Sequence, residues 1–203
     1  MNALACDLPA GFADPVSDAN ATFRAVLTAM SYPGRIVSLP VTVEVPAPLA
    51  PATGAILLAL ADLDTPVWLS ADLDRGMVAA WLRFHCGCPL VATRPEAIFA
   101  VTTPCRDLDG FGLGSAESPE RAATVIVQLA DLASGDEVRL SGPGIATKSG
   151  LSVPGLDASF WRAVAANHQL FPEGVDIVLA APDRLACLPR TTMVEETSPC
   201  MSR

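Results

Sequence analysis

Near the end of the chain, Leu188-Pro189-Arg190-Thr191-Thr192 places an arginine beside two hydroxyls. A guanidinium can grip phosphate or phosphonate oxygens in a bidentate fork, and threonine hydroxyls add donors to the same anion. The other reading of Arg190 is an ion pair at a strand or subunit edge, and the residues alone leave both open. Arg35, after Tyr32-Pro33-Gly34, and Arg83, before Phe84-His85, are weaker versions of the same idea. His85 also opens the run His85-Cys86-Gly87-Cys88, where a histidine-assisted thiol is conceivable but no accompanying signature supports it. Zinc sites usually draw on two separated ligand pairs, and Cys105 and Cys187 stand alone. With His85 and His168 as the two histidines, no metal is expected.

Two glycine runs need elements to hold them. Ser141-Gly142-Pro143-Gly144-Ile145 follows a predicted strand; its glycines reach backbone conformations closed to other residues and Pro143 stiffens the turn. Such a turn can bring amides close to a phosphate or to a partner chain, but it lacks the spacing of a P-loop or a dinucleotide fingerprint. Gly142, Pro143 and Gly144 are therefore read as a tight turn or an interface element. Gly110-Phe111-Gly112-Leu113-Gly114 follows Asp107-Leu108-Asp109 and precedes an acidic stretch, so a surface loop is expected there rather than a phosphate cradle.

The predicted elements form one domain over 203 residues, with a core over about 11–195 and loose termini. Asp18 is the predicted cap of a helix over 19–31 that turns Phe23, Val26, Leu27 and Met30 to one face. Ile36 to Leu39 and Val41 to Val45 read as short strands around Pro40. Helices are predicted at 52–61, 77–84 and 157–170, the last capped by Asp157 with Phe160 and Val164 inward. Strands are predicted at 65–69, 98–102, 124–129, 138–140 and 175–180, with one or two more over 185–194. Helices alternate with strands without strict βαβ order, which predicts an α/β fold: a mixed sheet flanked by helices on both faces.

Composition narrows the partners. Half the residues are apolar, 17% are charged and the net charge is −9. That excludes disorder and disfavours nucleic acid and anionic membranes. The longest apolar run, Ala55 to Ala61, is too short to cross a bilayer. Six cysteines without a recognisable signal peptide predict reduced thiols and a cytoplasmic location. Twelve cations are arginine and one is a lysine, Lys148, so Schiff-base chemistry has a single candidate.

The ordered anchors resemble the PhnH family, the H subunits of bacterial carbon–phosphorus lyase. They are Gly11-Phe12 with Asp14-Pro15-Val16, Phe23-Arg24-Ala25, Tyr32-Pro33-Gly34-Arg35 and Asp64-Thr65-Pro66-Val67-Trp68. Further on come Arg83-Phe84-His85, Gly142-Pro143-Gly144-Ile145, Phe160-Trp161, Phe171-Pro172-Glu173-Gly174-Val175-Asp176 and Leu188 to Thr192. The resemblance implies a fold like the large domain of pyridoxal-phosphate (PLP) dependent transferases, but without PLP. It also implies a homodimer that joins PhnG, PhnI and PhnJ in a core complex. That complex turns ATP and an alkylphosphonate into a ribose 1-phosphonate 5-triphosphate. No catalytic residue carries over, which favours a docking subunit over the alternative, a stand-alone phosphonate or nucleotide enzyme using Arg190 and His85; the candidate substrate-binding residues are Arg190, Thr191, Arg35 and His85.

Overall fold

Thr124–Gln128 and Asp176–Ala181 are apolar on both faces, the pattern of strands covered above and below. In the computed structural model, which describes residues 8–73, 76–105, 107–147 and 149–196, these strands lie at the centre of a seven-stranded sheet. In chain order the elements are α1 (Pro15–Ser31), β1 (Val37–Ser38), α2 (Pro51–Leu60), β2 (Val67–Leu69), α3 (Gly76–His85), β3 (Leu90–Val91), β4 (Phe99–Thr102) and β5 (Thr124–Gln128). There follow β6 (Ala133–Ser141), β7 (Ser149–Ser152), α4 (Ala158–His168), β8 (Asp176–Ala181), β9 (Arg184–Leu188) and β10 (Met193–Glu196). The large sheet runs β1-β9-β8-β5-β4-β2-β3. From β8 to β3 the strands are parallel, whereas β9 pairs antiparallel with both β8 and β1. Lys148, Cys6 and Cys200 lie outside the described residues.

Side chains alternate across this sheet with period two. Val101, Ile126, Val178 and Cys187 point towards a layer made by α1, α2 and α3. Ala100, Val125, Ile177, Leu179 and Leu188 point the other way, towards α4 and a second, three-stranded antiparallel sheet ordered β10-β6-β7. The expected mixed sheet with helices on both faces is therefore present. Of the smaller sheet the sequence reading found Val138–Leu140 and, within 185–194, the start of β10; it missed β7 and the first part of β6, whose pairing is broken by a bulge between Ser134 and Val138.

Two local expectations are corrected. Asp14, not Asp18, caps α1: its carboxylate accepts from the amides of Val16 and Ser17, each at 3.2 Å. The Asp18 carboxylate, one position beyond that of a capping box, reaches back to the Asp14 amide at 3.0 Å, and Pro15 takes the first helical position. The buried face is Thr22, Ala25, Val26 and Ala29, while Phe23 and Leu27 are about half exposed. Small residues let α1 lie close to α2 and β9, and periodicity cannot rank two apolar stripes on one helix. Val41 to Val45 forms no strand, although Val43 is buried and Thr42 and Glu44 face out. The reason is the partner: β9 begins at Arg184, opposite Ser38, and its last bond to this edge comes from Leu39 to the Asp183 carbonyl.

Interlayer ties are polar as well as apolar. Gln128 at the end of β5 accepts from the Ala50 amide at 2.7 Å and donates to the Pro48 carbonyl at 2.9 Å, which fixes the start of α2. Asn167, buried on the last turn of α4, donates to the Val175 carbonyl at 2.9 Å and accepts from the Val175 amide at 2.8 Å. Removing that amide strands two buried backbone groups. Asn167→Ala is expected to lower unfolding free energy by roughly 3 kcal/mol, read as a lower midpoint at unchanged slope in urea titrations.

Candidate functional site

Three of the sequence motifs meet at one corner. The Gly34 amide donates to the Cys187 carbonyl at 3.1 Å, which sets the turn after α1 against the end of β9. The turn after β6 then packs over both. A Cβ on Gly142 would stand 2.8 Å from the Thr191 carbonyl oxygen, and one on Gly144 would run into the Ser31 carbonyl and stand 2.8 Å from Cδ of Pro33. Both glycines have positive φ, 127° and 84°. Any L-residue at either position is strained twice over, by its backbone and by its neighbours. Tyr32 to Arg35, Ser141 to Ile145 and Leu188 to Thr192 are thus one structural unit.

Arg190 lies at its base, and its donors are largely taken. Nη2 donates to Oδ2 of Asp176 at 2.6 Å and Nε to Oδ1 at 3.2 Å. Nη1 donates to the carbonyls of Pro119 at 2.8 Å and Pro172 at 3.3 Å. A guanidinium has five N–H groups, so one remains. The Arg190 amide also donates to Asp176 Oδ1 at 2.9 Å, and its carbonyl accepts from Nδ1 of His168 at 3.2 Å, which fixes that tautomer. The neighbouring depression, about 360 Å³, is walled by Pro119, Phe171, Pro172 and Pro189 and carries Glu120 and Asp176 beside Arg190. Two carboxylates against one cation repel an incoming oxyanion. Topology points the same way: β9 ends where β8 begins, whereas open α/β sheets take ligands at the carboxyl ends of their parallel strands.

The remaining candidates are scattered. Thr191 is half-buried, and Thr192 is buried with no hydrogen-bond partner for its hydroxyl. Arg35 is exposed, with its guanidinium 5.5 Å from the Tyr32 ring centroid, and is the open cation of this corner. His85 ends α3 and donates from Nε2 to the Pro9 carbonyl at 3.1 Å; Nε1 of Trp81 donates to the same oxygen at 2.9 Å. α3 leads into β3, five strand positions from β9, or about 24 Å across the sheet. His85 and Arg190 therefore do not share a cleft.

The thiols are placed as packing groups. Cys88 and Cys187 are buried, and Cys86 and Cys105 half-buried. A hydrogen bond with the Cys88 sulfur, together with burial, holds the Cys86 thiol above the ordinary range, and the same bond pulls Cys88 below it. Burial raises Cys187 and Cys105, helped by Asp176 and Asp107 respectively. Among the described residues no group of three His, Cys, Asp or Glu could hold a metal, and no helix is long and apolar enough to cross a membrane. Phe111 in the glycine-rich loop is buried. It and Trp68 flank the Arg94 guanidinium at 4.9 and 5.2 Å, so this surface loop is anchored at its middle. The sequence reading missed Asp176 as the counterion of Arg190, since the two are 14 positions apart and meet only through the β8–β9 hairpin.

The corner is thus locked by packing, with no preformed oxyanion cleft at its arginine motif. Residues 10–195 match the family model described as bacterial phosphonate metabolism protein (PhnH), and the chain belongs to that family. It is 39% identical over 187 residues to "Alpha-D-ribose 1-methylphosphonate 5-triphosphate synthase subunit PhnH" of Rhizobium meliloti (strain 1021), covering 91% of this chain and 94% of the relative. It is also 35% identical over 174 residues to "Putative C-P lyase subunit protein HtxG" of Stutzerimonas stutzeri, covering 85% and 83%.

The Arg190–Asp176 pair predicts a stability effect. The side chains are 11% and 25% exposed, and removing one partner of such a pair leaves a largely buried charge unpaired. Arg190→Ala and Asp176→Ala are each expected to cost about 3 kcal/mol, with the double variant losing less than the sum, by urea denaturation. Wild-type stability in Arg190→Ala would release the guanidinium for a role in binding.

Proposed function

We propose that this protein is a subunit of the assembly that makes α-D-ribose 1-methylphosphonate 5-triphosphate from ATP and an alkylphosphonate. It serves there as a docking component rather than as the catalyst. The observation that carries this reading is the match along nearly the whole chain to a relative named as a subunit of that synthase. The second relative, named as a C–P lyase subunit, supports the same pathway. The docking role rests on the geometry of the two candidates: Arg190 spends four of its five N–H donors on Asp176 and two carbonyls, and His85, away from that corner, spends one ring nitrogen on Pro9. Neither is left poised for catalysis.

In this reading the chain is a cytoplasmic homodimer that binds PhnG, PhnI and PhnJ. Co-expression with those three subunits tests it. Co-purification in a stable complex is expected, and a G–I–J assembly that forms and turns over without this chain would overturn the reading.

The fold in this reading follows the large domain of PLP-dependent transferases without its cofactor. The parallel order β8-β5-β4-β2-β3, with a reversed β9 beside it, is compatible with such a domain. The purified protein is expected to show no internal-aldimine absorbance after incubation with PLP. A band that forms and vanishes in Lys148→Ala would restore the cofactor.

A further inference from the structure

The run His85-Cys86-Gly87-Cys88 holds two free thiols at the end of α3, and the docking role makes no use of them. The Cys86 amide closes the last turn of the helix on the Leu82 carbonyl at 2.9 Å. Gly87 then turns the chain back with φ at 68°, and a Cβ there would stand 2.8 Å from Cδ2 of Leu63, so any side chain at this turn is strained. Two peptide links span about 7 Å when extended, and a turned pair falls below the roughly 7 Å limit between Cα atoms for a disulfide. Both side chains pack in one apolar cluster, and their sulfurs share a hydrogen bond. Cys86 is half-buried and reachable from solvent, whereas Cys88 is 2% exposed.

We propose that Cys86 and Cys88 form a reversible dithiol–disulfide couple whose oxidant is a low-molecular-weight disulfide such as oxidised glutathione. Cys86 meets the oxidant because it is the accessible member. Its proton passes along the shared hydrogen bond to Cys88 while its sulfur attacks one sulfur of the oxidant. The S–S bond of the oxidant breaks, and one thiolate leaves and is protonated by water. Cys88 then gives its proton to solvent and attacks the Cys86 sulfur of the mixed disulfide, which releases the second thiolate. Net, two protein thiols become one disulfide while one disulfide becomes two thiols. In the resting pair the Cys86 hydrogen bond, and after it Arg83, favour the Cys88 thiolate; Arg83 still does so once Cys86 is occupied, and the thiolate is the attacking form. The closed bond strands no acceptor. The Leu57 carbonyl, 3.7 Å from the Cys86 sulfur, is also held by the Ala61 amide at 2.8 Å.

The test equilibrates the full chain with glutathione buffers of stepped oxidised-to-reduced ratio, quenches with acid, alkylates, and maps the peptides by mass. The wild type is expected to gain an internal bond between Cys86 and Cys88 and to retain no glutathione on either. Excess reduced glutathione should restore the dithiol, and circular dichroism should stay unchanged throughout. This readout needs no variant. Cys88→Ser is expected to stop at the mixed disulfide, with glutathione held on Cys86, and Cys86→Ser to lose reaction at both positions. Glutathione held stably on Cys86 of the wild type would overturn the proposal, because Cys88 then fails to resolve it. Thiols at 86 and 88 that stay unmodified in oxidised buffer while Cys105, also half-buried, takes up glutathione would overturn it as well. A bond from either sulfur to another cysteine would do the same.

Discussion

The guanidinium of Arg190 ties several separate segments of the chain together at the amino edge of the sheet. Through Asp176 it holds the start of β8, through Pro119 the turn before β5, and through Pro172 the turn after α4. The backbone of the same residue extends the joint: its amide donates to Asp176 and its carbonyl accepts a hydrogen bond from His168 on α4. Six hydrogen bonds at the amino edge of the sheet therefore depend on one side chain or its own peptide groups. This arrangement explains why the following residues can support the glycine turn. The Thr191 carbonyl oxygen lies against Gly142, 2.8 Å from where a Cβ there would stand. An arginine suits the task better than a lysine, since a planar fork with several donors can satisfy a carboxylate and two carbonyls together, whereas an ammonium offers one point of charge.

Much of the large sheet was legible in the sequence. Runs such as Val125-Ile126-Val127 and Ile177-Val178-Leu179 are apolar at every position, and only strands buried on both sides tolerate that. Asp157 was recognised as a helix cap from its position before the Phe160 and Val164 pattern, and its carboxylate does accept from Ser159 and Phe160. What failed depended on partners remote in sequence. The Val41 to Val45 stretch has the alternation of a strand, but pairing requires a neighbour, and β9 has already turned away. The buried stripe of α1 is made of alanines and threonine, which carry little hydropathic signal yet allow close approach of backbone to backbone.

The candidate site was legible as a set of residues and not as an arrangement. Arg190, Gly142, Gly144 and Arg35 were identified by type, and the structure shows that their motifs are adjacent. Whether a guanidinium is open or closed is decided by Asp176, which spacing along the chain does not reveal. The same logic separates His85 from this group: its motif is short and recognisable, yet it belongs to the other end of the sheet. The glycines and Arg190 are required at this corner by geometry, through close backbone approach and the Asp176 contact.

Trp81 and His85 grip the segment that precedes the first helix by a backbone oxygen, not by any side chain. A carbonyl has two lone pairs, and both are taken, one by the indole and one by the imidazole. The attachment is consequently blind to which amino acid occupies position 9. Drift at that residue would leave the course of the strap unchanged, while the two rings that read it must stay.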